Sequence, residues 1–175
     1  MEHQLKLNKP LAFFDLETTG LKIGGDRIVE IAILKLLPNG EKIHYHRRLN
    51  PEIPIPEAIS KIHGITNEMV ANAPTFKELA PQVIEFIGES DLAGYNSNKF
   101  DIPVLSEELL RTGIDFDLGA RHFVDVQNIF HKMEQRTLAA AYQFYCGKTI
   151  ENAHNALYDT LATLEVLQAQ TERYQ

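Results

Sequence analysis

No stretch of this 175-residue sequence approaches the ~18 consecutive apolar residues that would span a bilayer, so no membrane-crossing helix is expected. The apolar run at 11–14 is too short for the core of a signal peptide, and the ten residues before it are mostly polar. Cysteine occurs once, at Cys146, which excludes an internal disulfide. With no export signal in view, a cytoplasmic location is expected. Repeats, low-complexity tracts and linkers rich in Gly, Ser or Pro are also missing, so the chain reads as one domain over 1–175, its core running from about 11 to 170. Cations are in deficit: 17 Lys and Arg stand against 24 Asp and Glu, for a net charge of −7. Such a balance argues against a protein that coats nucleic acid, because coating works by neutralising phosphates. It leaves room for an enzyme that grips a few nucleotides at one end. Two bound divalent cations would offset more than half of the excess.

The polar and apolar pattern predicts five strands and several helices, an α/β chain in which a mixed sheet is flanked by helices. Residues 11–17 form a nearly continuous apolar run ending in two acids, as a buried central strand does. Strands at 28–37 and 42–49 are joined by Pro38-Asn39-Gly40, which predicts a hairpin. The proline-rich segment 50–56 reads as an extended loop. Thr75 and Glu78 have capping-box spacing ahead of apolar residues at helical period. A short strand at 92–95, a helix at 102–112 stopped by Gly113, and a strand at 122–126 follow. Helices at 137–146 and 155–172 complete the reading.

Asp15 and Glu17 are two residues apart on a strand, so their side chains share a face. Acids placed together at the end of a buried strand repel one another, and burial makes their charges costly. A divalent cation removes both difficulties; an exposed strand end with two solvated acids is the plainer alternative. Thr18-Thr19-Gly20 then ends the strand in a hydroxyl-rich turn that lets a ligand approach the backbone. Asp101 closes the segment Asn96-Ser97-Asn98-Lys99-Phe100-Asp101 between a strand and a helix, where taken alone it reads as an N-cap. His154 and Asp159 flank the start of the last helix. Five residues correspond to roughly 140° of helical rotation, so the two do not share a helical face. This places His154 in the loop or first turn, over a site that Asp159 enters from the helix; alone, it reads as a surface residue.

Taken in order, the segments 14–20, 96–101 and 154–159 resemble the three exonuclease motifs of the DEDD superfamily. The His five residues before the last Asp resembles the DEDDh branch, which includes the proofreading subunit of bacterial DNA polymerase III and ribonuclease T. The resemblance spans 11–168, and Lys61-Ile62-His63-Gly64-Ile65-Thr66 is similar to the family's stretch between the first two motifs. Tyr95 departs from it, since many members have His before the Asn.

The resemblance implies a ribonuclease H-like mixed five-stranded sheet and a metal-dependent 3′–5′ exonuclease that releases nucleoside monophosphates from single-stranded DNA or RNA ends. It implies that Asp15, Glu17 and Asp159 hold one metal, that Asp15 bridges to a second, and that Asp101 completes the site. Hard oxygen ligands suit Mg²⁺ or Mn²⁺, and two such ions can carry an in-line phosphodiester displacement. His154 is implied as the base that deprotonates water. Leu16, Thr18 and His63 are candidates to cradle the terminal nucleotide, with Asn96 and Phe100 close by. Phe100 offers a stacking face or a core aromatic. His44, His46 and Arg48 alternate on one strand face and read as solvated, with a further metal site the alternative. Asp125 reads as an N-cap and Cys146 as a packing residue. A polymerase or second-copy partner stays open. Two rival readings remain: an RNase trimming short RNA or tRNA ends, and a catalytically silent nuclease fold serving as an interaction module.

Overall fold

Alternation along the central strand decides what lies above and below the sheet. In β1 (Leu11–Thr18), Ala12, Phe14, Leu16 and Thr18 are buried while Asp15 faces solvent on the other side, with Phe13 and Glu17 half-buried beside it. The structure, a computed structural model, describes residues 5–114, 116–150 and 155–174. β2 (Ile28–Leu36) pairs antiparallel with β1, and β3 (Lys42–Arg48) pairs antiparallel with β2. Gly40 takes φ +88° in the turn between β2 and β3, as a tight hairpin requires. β4 (Asp91–Gly94) lies parallel to β1 on its other side, and β5 (Phe123–Asp125) runs parallel to β4. The order is β3-β2-β1-β4-β5, the mixed five-stranded sheet expected from the sequence.

Two helices cover the buried face. Thr75 caps α3 (Phe76–Ile87) with the reciprocal Thr75–Glu78 box, and Phe76, Leu79, Ala80, Val83 and Ile87 turn inward. α4 (Asp101–Thr112) adds Val104, Leu105 and Leu109, and Gly113 ends it in the left-handed conformation. An ion pair between half-buried Arg27 and buried Glu108 joins this helix to the chain entering β2: Arg27 Nε donates to Glu108 Oε1 at 2.7 Å.

A second, smaller apolar cluster arises from an irregularity in the sheet. Glu17 pairs with Glu30 but Thr18 pairs with Ile28, so Val29 is left out of the register. Val29 packs with Ile55, Ile65 and Val70. Ile55 belongs to the proline-rich loop, Val70 ends one of two short helices that the sequence pattern missed, α1 (Glu57–His63) and α2 (Asn67–Val70), and Ile65 lies between the two. The Asn67 amide fastens the loop from both sides, accepting from Ile55 N at 2.8 Å and donating to Ile55 O at 3.1 Å.

The chain divides into two compact units, one through Val126 and one from Gln127 onward. α5 (Val126–Met133), also missed from sequence, begins directly at the end of β5. α6 (Leu138–Cys146) is capped by Thr137 and stopped by Gly147, and α7 (Ala156–Arg173) is capped by the Asn155 side chain. Within the second unit, Glu165 of α7 accepts from Tyr142 of α6 at 3.0 Å and from Lys148 at 2.7 Å. Among the described residues no helix is long and apolar enough to cross a membrane.

Phe76 is the bulkiest of the fully buried side chains. Phe76→Ala should destabilise the protein by about 3–5 kcal/mol, read as a lower urea midpoint at unchanged slope. An unmoved midpoint would remove α3 from the core.

Candidate active site

The site grows from the open end of β1. Asp15 and Glu17 stand on the face opposite the core, as their spacing predicts. Asp101 reaches them from a different element. It is the first residue of α4, whose N-cap position is taken by Phe100, so the expected N-cap role does not describe it. Its carboxylate instead turns to the strand, where Oδ1 accepts the amide of Leu16 at 3.1 Å, 85 positions away in sequence.

Bringing these acids together has an electrostatic consequence. Asp101 is 5% exposed, and burial followed by the negative charge of Asp15 pushes its carboxyl up to about 6; the Leu16 amide works in the opposite direction. Glu17 is also raised, by burial first and Asp15 second, and His63 partly offsets the rise. Asp101 and Glu17 thus resist ionising beside Asp15, a difficulty that a cation removes. The donor set is all oxygen and suits a hard divalent ion. Among the described residues no three acid, His or Cys side chains converge tightly enough to hold an ion alone. Asp159 lies half-buried in the first turn of α7, in the second unit. His154 lies outside the described residues.

Around the acids, the expected substrate contacts divide. Leu16 and Thr18 send their side chains inward, Leu16 into the main core, and the Thr18 hydroxyl donates to Gly20 O at 2.6 Å. Their side chains are therefore unavailable to a ligand, which leaves only backbone. His63 ends α1, and its Nδ1 accepts the Ile65 amide at 3.0 Å. In the neutral ring the proton accordingly sits on Nε2, which is buried with no hydrogen-bond partner among the described residues. Asn96 holds a left-handed φ of +59°. Phe100 is half-buried and packs against the main core, in line with the core-aromatic reading.

Register carries β3 side chains onto the acid face as well: His46 aligns with Ala32 and Asp15, and Arg48 with Glu30 and Glu17. His44, His46 and Arg48 are exposed, as expected for an outer face, and Glu30 accepts from His46 at 3.0 Å and Arg48 at 3.2 Å. A groove of about 640 Å³ crosses this face beside Asp15, with Phe13, Ala32 and Leu34 in its lining and His44, His46 and Tyr95 contributing polar groups.

Sequence reasoning missed several supports. Asp26 folds the turn after β1 by accepting from Thr19 Oγ1 at 2.8 Å and Lys22 N at 2.7 Å. Gly20 is needed there, since a Cβ would lie 2.6 Å from an Asp26 oxygen. Gly94 is equally confined: a Cβ would meet Ser97 Cβ at 2.6 Å and Phe14 O at 3.1 Å. Asp125 accepts the Asn96 amide at 3.0 Å and the Asn98 amide at 3.1 Å, bonds to the opposite loop that its N-cap reading did not contain. No local motif announces such contacts.

A family model described as "Exonuclease" matches residues 12–167, across both units. The chain is 34% identical over 169 residues to the DNA polymerase III subunit epsilon of Rickettsia prowazekii, covering 90% of this chain and 72% of that protein. It is 29% identical over 166 residues to the PolC-type DNA polymerase III of Clostridium perfringens, where it spans only 11% of the relative's length. Among solved structures, E. coli exonuclease I in complex with a dT13 oligonucleotide aligns over 95% of this chain and 41% of its own, with a TM-score of 0.65 at 18% identity, a likeness of fold.

The raised Asp101 carboxyl predicts how the metal-free protein responds to pH. Folded, the group keeps its proton to about pH 6; unfolded, only to about pH 4. Folding therefore takes up a proton between those values, and this contribution to stability declines as pH rises through that window. Asp101→Asn removes the decline. In chelator, above pH 6, it should be more stable than the parent by up to about 3 kcal/mol, the difference fading toward pH 4. Thermal melts of both proteins across pH 4–8 (a range of roughly two units either side of about 6) check this; a pH-independent difference would mean the Asp101 environment is misread.

Proposed function

The chain belongs to the exonuclease family, and from that membership and the acids gathered at the end of β1 we propose that it is a divalent-metal-dependent 3′–5′ exonuclease acting on single-stranded DNA. The observation that carries the proposal is the burial of Asp101 against β1, with its carboxyl pushed up by burial and by Asp15. A fold does not gather like charges in this way unless a cation or a proton completes the arrangement. The choice of DNA follows the relatives, a DNA polymerase III epsilon subunit and an exonuclease I crystallised with dT13. The epsilon relative also suggests a polymerase partner.

In this reading Asp15, Glu17 and Asp101 hold two Mg²⁺ or Mn²⁺ ions through carboxylate oxygens. The family motif adds Asp159 to the ligands and His154 as the base, an assignment that rests on sequence. When bound, the ions supply Lewis-acid stabilisation of the phosphoryl oxygens and of the departing 3′ oxygen. His154 takes a proton from the attacking water, whose oxygen bonds to phosphorus as the bond to the 3′ oxygen of the preceding nucleotide breaks. His63, within electrostatic reach of Glu17, is kept as a candidate contact to the terminal nucleotide. Asn96 and the exposed edge of Phe100 flank the same nucleotide.

Matched DNA and RNA oligonucleotides, labelled at either end, test the proposal. A 3′ label should be released at once and a 5′ label should shorten stepwise, with DNA preferred over RNA. EDTA should abolish turnover, and Mg²⁺ or Mn²⁺ should restore it. Digestion undiminished in excess chelator would sink the metal assignment, and faster loss of RNA would favour RNA-end trimming.

Two substitutions separate the roles. Asp15→Asn should abolish turnover while leaving the metal-free melt nearly unchanged, because the amide is close to isosteric. His154→Ala should still bind a 3′ end but cleave about 10²–10⁴-fold more slowly in single-turnover assays. A His154→Ala protein with the parent rate would return His154 to the surface residues.

A further inference from the structure

Asp125 is buried, 4% exposed, at the end of β5, where the parallel register sets it opposite Gly94. Gly94 is the last residue of β4, and the segment that follows carries Asn96, Phe100 and Asp101. A carboxylate in such a place is costly unless its oxygens are hydrogen-bonded. Here each oxygen receives a backbone amide from across the turn, Asn96 N to Oδ1 at 3.0 Å and Asn98 N to Oδ2 at 3.1 Å. Charge-assisted bonds of this kind are among the stronger ones in a protein.

The segment needs such a clamp. Asn96 sits at φ +59°, a left-handed conformation that L residues adopt reluctantly, Asn less so than most. Between the two held amides, Ser97 is 1% exposed and pressed against Gly94. Ser97 O then accepts the amide of Ile102 at 2.9 Å, next to Asp101. A continuous path of bonds therefore leads from the Asp125 carboxylate, through the 96–98 turn, to the start of α4, and from Asp101 Oδ1 to the Leu16 amide beside Asp15 and Glu17.

We propose that Asp125 is a positioning residue for the exonuclease reaction: by clamping the Asn96 and Asn98 amides it holds the turn that delivers Asn96, Phe100 and Asp101 to the substrate and the metal-binding acids. The role rests on the exonuclease reading, but the clamp itself can be measured without it.

Asp125→Asn is the informative change, because it keeps the shape while turning one oxygen into an NH₂ group that faces an N–H donor. We expect kcat/KM on a single-stranded DNA 3′ end to fall about 10–100-fold, the scale typical of lost support behind a site. Both kcat and KM should be affected, since the turn carries a metal-binding acid and nucleotide contacts. In the metal-free full chain, hydrogen exchange at the Asn96 and Asn98 amides should accelerate at least tenfold, ahead of amides in β1. Glycine adopts the left-handed conformation freely. In an Asn96→Gly background the Asp125→Asn step should therefore cost several-fold less than in the parent. Asp125→Ser, which keeps one acceptor, carries the same measurements if the Asn variant does not fold.

Parent-like kcat and KM with parent-like exchange would overturn the proposal. So would a loss that is the same in both backgrounds and accompanied by faster exchange throughout the sheet, which is general destabilisation. If the parent itself degrades no nucleic acid yet the two amides are released as described, the clamp stands and the exonuclease reading fails.

Discussion

A single hydrogen bond, from the Leu16 amide to Asp101 Oδ1, ties the start of α4 to the middle of the acid-bearing strand. Without it, a helix whose first side chain is an acid would have every electrostatic reason to stand away from Asp15. With it, the charge is held where burial and Asp15 both oppose it. Much of the surrounding architecture serves to keep that helix in place. Apolar side chains of α3 and α4 fix its depth against the sheet, and the Arg27–Glu108 pair fixes its far end to the strand beyond β1. A bond worth about 1 kcal/mol by itself could not do this; it directs a placement that the core makes affordable.

The other wall of the site follows from an imperfection in the sheet. The slip in register after Glu17 frees Val29 to nucleate the small cluster of Ile55, Ile65 and Val70. That cluster seats α1 and α2 and brings His63 within electrostatic reach of Glu17. A regular ladder would have kept Val29 in the pairing and given those two short helices nothing to pack on. Bulges recur beside active sites for this kind of reason.

What could be read from sequence was local. Two-residue spacing put Asp15 and Glu17 on one face, the Thr75–Glu78 box started α3, Asn39-Gly40 turned the hairpin, and Gly113 and Gly147 stopped helices, because each signal lies within a few residues of its effect. The strands came out right to within one or two residues. α1 and α2 were missed because they are too short to show a period and depend on Val29, about thirty or more positions earlier. α5 was missed because it follows β5 with no intervening turn. Leu16 and Thr18 looked like substrate contacts through their neighbours in the motif, yet even positions on β1 face the core. The bonds of Asp125 and Asp101 span 27 to 85 positions, and no pattern along the chain encodes them.

Gly94 holds no charge, donates to no ligand and lies at the end of a four-residue strand, yet there is no space for a methyl group between it, Ser97 and the Phe14 carbonyl. The backbone of β1 and the turn ahead of α4 are in effect one atom layer apart at that point. A side chain at Gly94 would have to part β1 from the turn that leads to Asp101, although the glycine itself offers no functional group. Any residue larger than glycine before the aromatic at 95 therefore requires that turn to be rebuilt.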